Sequence, residues 1–230
     1  MLRDQHDLVL TDRSANGEVQ ALDLIDFSAV RDAVAGMDAI VHLAIASHRA
    51  LAHLDEHGRD EEEMQVNVLG TQHVFEAARL AGMKRIVFMS SMTTVLGEPL
   101  YDRIERDTPP RPRNLYACTK LFGEHLAELY TRTHDIAIIC IRLGQPVPIP
   151  DCEYGSEHVR QFASDGVFCD MADLAQGVHC ALTASNVKFK VINLVSASPE
   201  GRVDLSAAAE IGYRPTRLFT REGDCVENPR

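Results

Sequence analysis

Tyr116 and Lys120 stand four residues apart in the stretch Asn114-Leu115-Tyr116-Ala117-Cys118-Thr119-Lys120. Leu121, Phe122, Leu126, Leu129 and Tyr130 then recur at helical spacing, so the two side chains share one face, a turn apart. A phenol titrates near pH ~10 and is a poor base at neutral pH. An ammonium beside it favours the phenolate and draws its pKa toward working pH. The same spacing also occurs as an ordinary pair on a helix surface, so its meaning depends on the elements that position it.

Those elements alternate. Leu8-Val9-Leu10 reads as a buried strand that ends on Asp12, and Glu18 to Leu24 as a second strand that ends near Asp23. A helix over 26–34 follows, with Asp26 or Ser28 as cap and Val30 and Val34 on one face. Asp38 to Ala44 is a near-continuous apolar run, as expected of a strand covered on both faces of a parallel sheet. After a polar, His-rich stretch over 47–63, helical periodicity runs from Met64 to Ala81. Arg85 to Ser91 is the next buried strand and ends in hydroxyls. The Tyr116 helix, a strand within 135–142, an irregular Pro-rich stretch over 144–166, a helix over 170–184, a strand over 190–195 and a last helix over 204–211 complete the order. Strands alternating with helices, without an internal repeat, predict a parallel α/β sheet. Ligands of such sheets sit beyond the carboxyl ends of the strands, where Asp12, Asp23, the Ala44 loop and Ser90-Ser91 gather.

Composition narrows the partners. The 230 residues are 45% hydrophobic, enough for one large domain, yet no window approaches the ~18 unbroken apolar residues of a membrane span. The charged N-terminal stretch lacks the apolar core of a signal peptide. Six cysteines without a C-x-x-C pair, several inside apolar segments, suit a reducing cytoplasm. A net charge of −11 argues against nucleic acid or an anionic membrane as partner. His42, His48, His53 and His57 show no H-E-x-x-H pattern, so no metal site is expected. The acidic run Asp60 to Glu63 reads as a solvated helix start.

In this order the segments resemble the extended short-chain dehydrogenase/reductase superfamily, the NAD-dependent epimerase/dehydratase group. Asp38 to Ala44, Asn67 to Thr71 with Val74 to Ala78, Arg85 to Ser91 and Tyr116 to Lys120 carry the likeness. Asp170 to Ala175 and Asp204 to Pro215 look most like shorter, uronate dehydrogenase-like members. The resemblance implies a Rossmann-like, doubly wound parallel sheet: one NAD(P)-binding domain over 1–230, with segments of a small substrate lobe at about 144–168 and 196–230. It implies Tyr116 as proton donor and acceptor, Lys120 holding the cofactor ribose and lowering the tyrosine pKa, and Ser91 orienting the substrate oxygen. Counting forward along the strand places Ser91 at the catalytic hydroxyl. Counting back from Val95-Leu96-Gly97 lands on Met92, which cannot donate a hydrogen bond. Ser91 lies 25 residues before Tyr116, the family's usual spacing, with Thr93 and Ser90 as fallbacks.

The likeness further places Asp12 on the adenosine ribose, Asp23 and Leu24 along the adenine, and Leu43, Ala44, Ala46, Asn67 and Leu143 against the cofactor. A carboxylate at Asp12 repels a 2′-phosphate, which favours NAD over NADP, while Arg13 works the other way. Ser91, Thr93, Gln145 and Arg160 are the substrate-side candidates, and Arg142 reads as structural or close to the cofactor. The implied reaction is NAD-dependent oxidation or reduction of a sugar or sugar acid. A nucleotide-sugar epimerase or dehydratase and a non-catalytic binding protein of the same fold are the alternatives, and a homodimer is the family's habit.

One family feature is not in this sequence. No G-x-x-G-x-x-G or G-x-G-x-x-G occurs, so the usual first strand and the turn that lets backbone approach a pyrophosphate are expected to be lacking. Either Met1 is an internal methionine of a longer chain, or the chain is a natural remnant with weak or no cofactor binding.

Overall fold

Near-continuous apolar runs set the central strands. The structure, a computed structural model, describes residues 2–46, 51–149, 153–162 and 166–229. Strands β1 (Thr11–Asp12) and β2 (Gln20–Ala21) pair in parallel and lead into α1 (Phe27–Ala33). The Asp26 carboxylate caps α1 by accepting the Ala29 N–H at 3.1 Å. Then come β3 (Ala39–His42), α2 (Glu56–Glu63), a π-helical turn over Met64–Gly70, α3 (Thr71–Leu80) and β4 (Arg85–Ser91). A 3-10 turn, Met92–Thr94, closes β4. The second half contains α4 (Leu115–Thr133), β5 (Ala137–Leu143), β6 (Gln145–Val147), α5 (Glu157–Phe162), β7 (Phe168–Asp170), α6 (Met171–Thr183), β8 (Phe189–Leu194), α7 (Ser206–Ala209), β9 (Arg217–Phe219) and β10 (Cys225–Glu227).

The central sheet is parallel, in the order β3-β4-β5-β8, with Ser91 opposite Leu143 at its carboxyl end. Its strands are covered on both faces, which is why they read as continuous apolar runs. Ile86, Phe88, Ile138 and Cys140 pack against Val30 of α1, Phe75 of α3 and Ala127 of α4. Val87, Met89, Ile139 and Ile141 pack against Val178 of α6 and Ala208 of α7 on the opposite face. This is the expected doubly wound α/β arrangement. Pieces that follow the carboxyl ends of β5 and β8 form a smaller unit: β6 pairs with β7, β9 with β10, and Val147, Val159, Phe168 and Phe219 share a core. Buried Asp173 of α6 ties that unit down by accepting from Ser196 Oγ at 2.6 Å, Thr216 N at 2.7 Å and Thr216 Oγ1 at 2.8 Å. No helix among the described residues is long and apolar enough to cross a membrane.

Several local expectations change. The strand expected from Leu8 and ending on Asp12 shrinks to Thr11–Asp12, the one over 18–24 shrinks to Gln20–Ala21, and Val9 is 51% exposed. The reason is topological: among the described residues the β1–β2 ladder is not hydrogen-bonded to the central sheet, so its faces are not both covered. The helix over 64–81 begins instead as a π turn. The acidic run ends α2 rather than starting it, and Glu63 is buried. The stretch over 144–166, expected to be irregular, contains β6 and α5. Its three-residue strand, like β7, β9 and β10, is too short for a periodic pattern to stand out.

Candidate active site

Helix α4 supplies the site. Asn114 caps it, its side chain accepting the Ala117 N–H at 2.9 Å, so Tyr116 sits in the first turn of the helix. Gly123 lets α4 lie close to β4: a Cβ there would meet Phe88 Cζ at 2.2 Å. Tyr116 and Lys120 thus lie at the carboxyl end of β4, where the Ser91 hydroxyl is near enough to favour the Tyr116 phenolate. Ser91 Oγ also accepts from the Thr93 N–H at 3.2 Å and the Thr93 hydroxyl at 2.9 Å. The fallback Ser90 is committed elsewhere, since its hydroxyl donates to Glu124 at 2.6 Å in the core.

The electrostatics depart from expectation at one point. Lys120 was expected to lower the Tyr116 pKa, yet burial raises that pKa, against the opposing Ser91 hydrogen bond, with the Glu63 charge adding to the rise. Lys120 is itself buried, and loss of solvation pulls it down to about 7. A lysine near neutrality offers only part of a positive charge. Its Nζ donates to the Met89 carbonyl at 2.8 Å and lies 5.6 Å from the Tyr116 ring centre. Burial likewise pushes His42 down to about 3, with Lys120 contributing, so the ring is neutral and paired with the Thr71 hydroxyl at 3.0 Å.

The candidate cofactor residues occupy the ends of β1, β2, β3 and β5. Asp12 and Asp23 are exposed, and their carboxylates accept from the nearby N–H groups of Ser14 and Ile25. Leu43 and Ala44 form an exposed apolar step after β3, and Leu143 ends β5 half-buried. These groups fit the two riboses and the flat rings of a dinucleotide: open carboxylates, an apolar step, and a buried amine that donates to a backbone carbonyl. Ala46 and Asn67 are arranged differently. Asn67 Oδ1 accepts the Ala46 N–H at 2.8 Å and its Nδ2 donates to Thr119 Oγ1 at 3.2 Å, so both bind the protein itself. Leu24 is half-buried in the core beside Gly70, and its carbonyl contacts His73 Nδ1 at 2.7 Å. Arg13 pairs with Glu62 at 2.5 Å.

Of the substrate candidates, Ser91 and Thr93 adjoin Tyr116. Gln145 leads into β6, and Arg160 is exposed on α5, its backbone against Gly223. His48 lies outside the described residues. Glu124 and its partner Arg142 went unsingled in the sequence as a pair. The available signal was that Glu124 stands one turn beyond Lys120 on the same face.

Comparisons with known proteins show what the chain as a whole is similar to. A family model described as NAD dependent epimerase/dehydratase family matches residues 1–148. The uronate dehydrogenase of Pseudomonas putida is 32% identical over 198 residues, which cover 86% of this chain and 68% of that protein. That of Pseudomonas syringae pv. tomato is 31% identical over 216 residues, covering 92% and 72%. A crystal structure of a mutant uronate dehydrogenase from Agrobacterium tumefaciens complexed with NAD aligns with a TM-score of 0.75 at 28% identity, covering 91% of this chain and 75% of that one.

Proposed function

Because this chain belongs to the NAD dependent epimerase/dehydratase family, we propose that it is an NAD-dependent oxidoreductase of a sugar acid, of the uronate class. The convergence of Tyr116, Ser91 and Lys120 at the end of β4 carries the reading. Bound NAD supplies the hydride acceptor. Ser91 orients the substrate hydroxyl, and Tyr116 takes its proton as the hydrogen on the same carbon leaves. Lys120, still donating one N–H to the Met89 carbonyl, would hold the nicotinamide ribose with its other donors, and Asp12 and Asp23 would hold the adenosine end, with Leu43, Ala44 and Leu143 lining the rings. Arg160 or Gln145 faces the substrate carboxylate, for which a guanidinium is the better match.

Because burial raises the Tyr116 pKa, proton removal becomes easier as pH increases, and the oxidation rate is expected to climb into the alkaline range. The test is NAD reduction measured against uronates and aldoses, with Tyr116→Phe alongside. Uronate-dependent reduction that falls by about 10²-fold or more in the variant is the expected result. Equal rates for the two proteins would remove Tyr116 from the mechanism.

A further inference from the structure

Glu124, Arg142 and Ser90 form a buried polar cluster with no part in the proton path. Arg142 Nε and Nη2 reach the two Glu124 oxygens at 2.9 and 2.8 Å, and Ser90 donates to the same carboxylate at 2.6 Å. The two charged side chains are only 9% and 6% exposed. A buried pair of this kind seldom adds net stability, because desolvation offsets the attraction. Its geometry is more telling. Arg142 and Ser90 are register partners on β5 and β4, so one carboxylate fastens α4 to two neighbouring strands at one level. Residues 116, 120 and 124 are successive turns of one helix face, and they meet Ser91, the Met89 carbonyl and Ser90 respectively.

We propose that Glu124, clamped between Ser90 and Arg142, is a positioning residue that fixes the register of α4 on β4 and so keeps Lys120 seated against the Met89 carbonyl. The proposal rests on the function proposed above for Tyr116, Lys120 and Ser91. Among the described residues, the charged and titratable groups around Lys120 are Tyr116 and Glu124 on its own helix and His42 of β3, whose pKa it helps to lower. Glu63 of α2 acts on Tyr116, and Arg142 and Cys140 of β5 sit by Glu124.

Lys120 is one of four lysines, with Lys84, Lys188 and Lys190, so its side-chain signal in a lysine-labelled sample is assigned by its loss in Lys120→Met. Its titration, followed by NMR in the full chain, reports the seating directly. In Glu124→Gln the helix loosens, water reaches Lys120, and its midpoint is expected to rise from about 7 by a full pH unit or more. Deleting a carboxylate without moving the helix would act in the opposite direction, leaving lysine easier to deprotonate. Val178→Ala, a core deletion in α6 on the other face of the sheet, is expected to lower Tm without moving the Lys120 midpoint. If Glu124→Gln does not fold, Ser90→Ala and Arg142→Lys, each weakening one side of the clamp, are read in the same way. An unchanged or lowered Lys120 midpoint in the folded clamp variants overturns the proposal, as does an equal rise in Val178→Ala. The titration does not need turnover, so a parent chain that fails to reduce NAD counts against the proposed function alone.

Discussion

At the scale of single residues, burial rather than pairing sets the chemistry at the end of β4. His42 shows the consequence for stability. Burial holds its folded pKa near 3, below the ordinary 6.5 of a solvated imidazole. Between those values the unfolded chain binds the extra proton, so stability is full above pH 6.5 and lost as pH falls toward 3. The loss is on the order of several kcal/mol at most. His42→Leu is therefore expected to flatten the acid side of the stability curve, in urea titrations at pH 7 and pH 4.5, while leaving the Thr71 hydroxyl without its partner at both. An acid limb as steep as the parent's would assign that limb to other groups.

At the scale of elements, close approach of helices to the sheet decides where α4 and α6 can lie. Helical glycine usually costs about 1 kcal/mol relative to alanine, yet Gly123→Ala is expected to destabilise by about 1–3 kcal/mol, since the new methyl would meet Phe88 Cζ at 2.2 Å. The same holds at Gly177 of α6, where Leu194 Cδ1 lies 1.9 Å from the added Cβ. Asn114→Ala removes the α4 cap and is expected to cost about 1 kcal/mol, with a larger fall in turnover than a matched loss elsewhere, because the first turn carries Tyr116. A stabilised Gly123→Ala protein in chemical denaturation would contradict the packing argument. Much of this scale was legible in the sequence. Apolar runs marked β3, β4 and β5, and helical spacing marked α4 with its Tyr116 and Lys120, because local pattern follows from burial on one face or two. The Glu124–Arg142 contact was not legible, since it joins residues 18 apart on different elements. The three-residue strands β6, β7, β9 and β10 were also hidden, because their pairing rather than their composition defines them.

At the scale of the whole molecule, the first parallel ladder stands apart from the central sheet. The central sheet is knit by backbone hydrogen bonds from β3 to β8, whereas β1–β2 is its own two-residue ladder. Its neighbourhood is tied to the rest through Leu22 and Leu24 packed against the main core, the Leu24 carbonyl on His73 and Arg13 on Glu62. Amides of β1 and β2 are accordingly expected to exchange with deuterium well before those of β4 and β5; protection equal across all four strands would show the two units opening together. Asp12 stands on this loosely held unit and Lys120 on the rigid one. A dinucleotide spanning both would act as a fastener, and part of its binding free energy would go into ordering the looser half. Added NAD is then expected to slow exchange most at β1–β2, a ligand-linked stiffening confined to one edge of the protein.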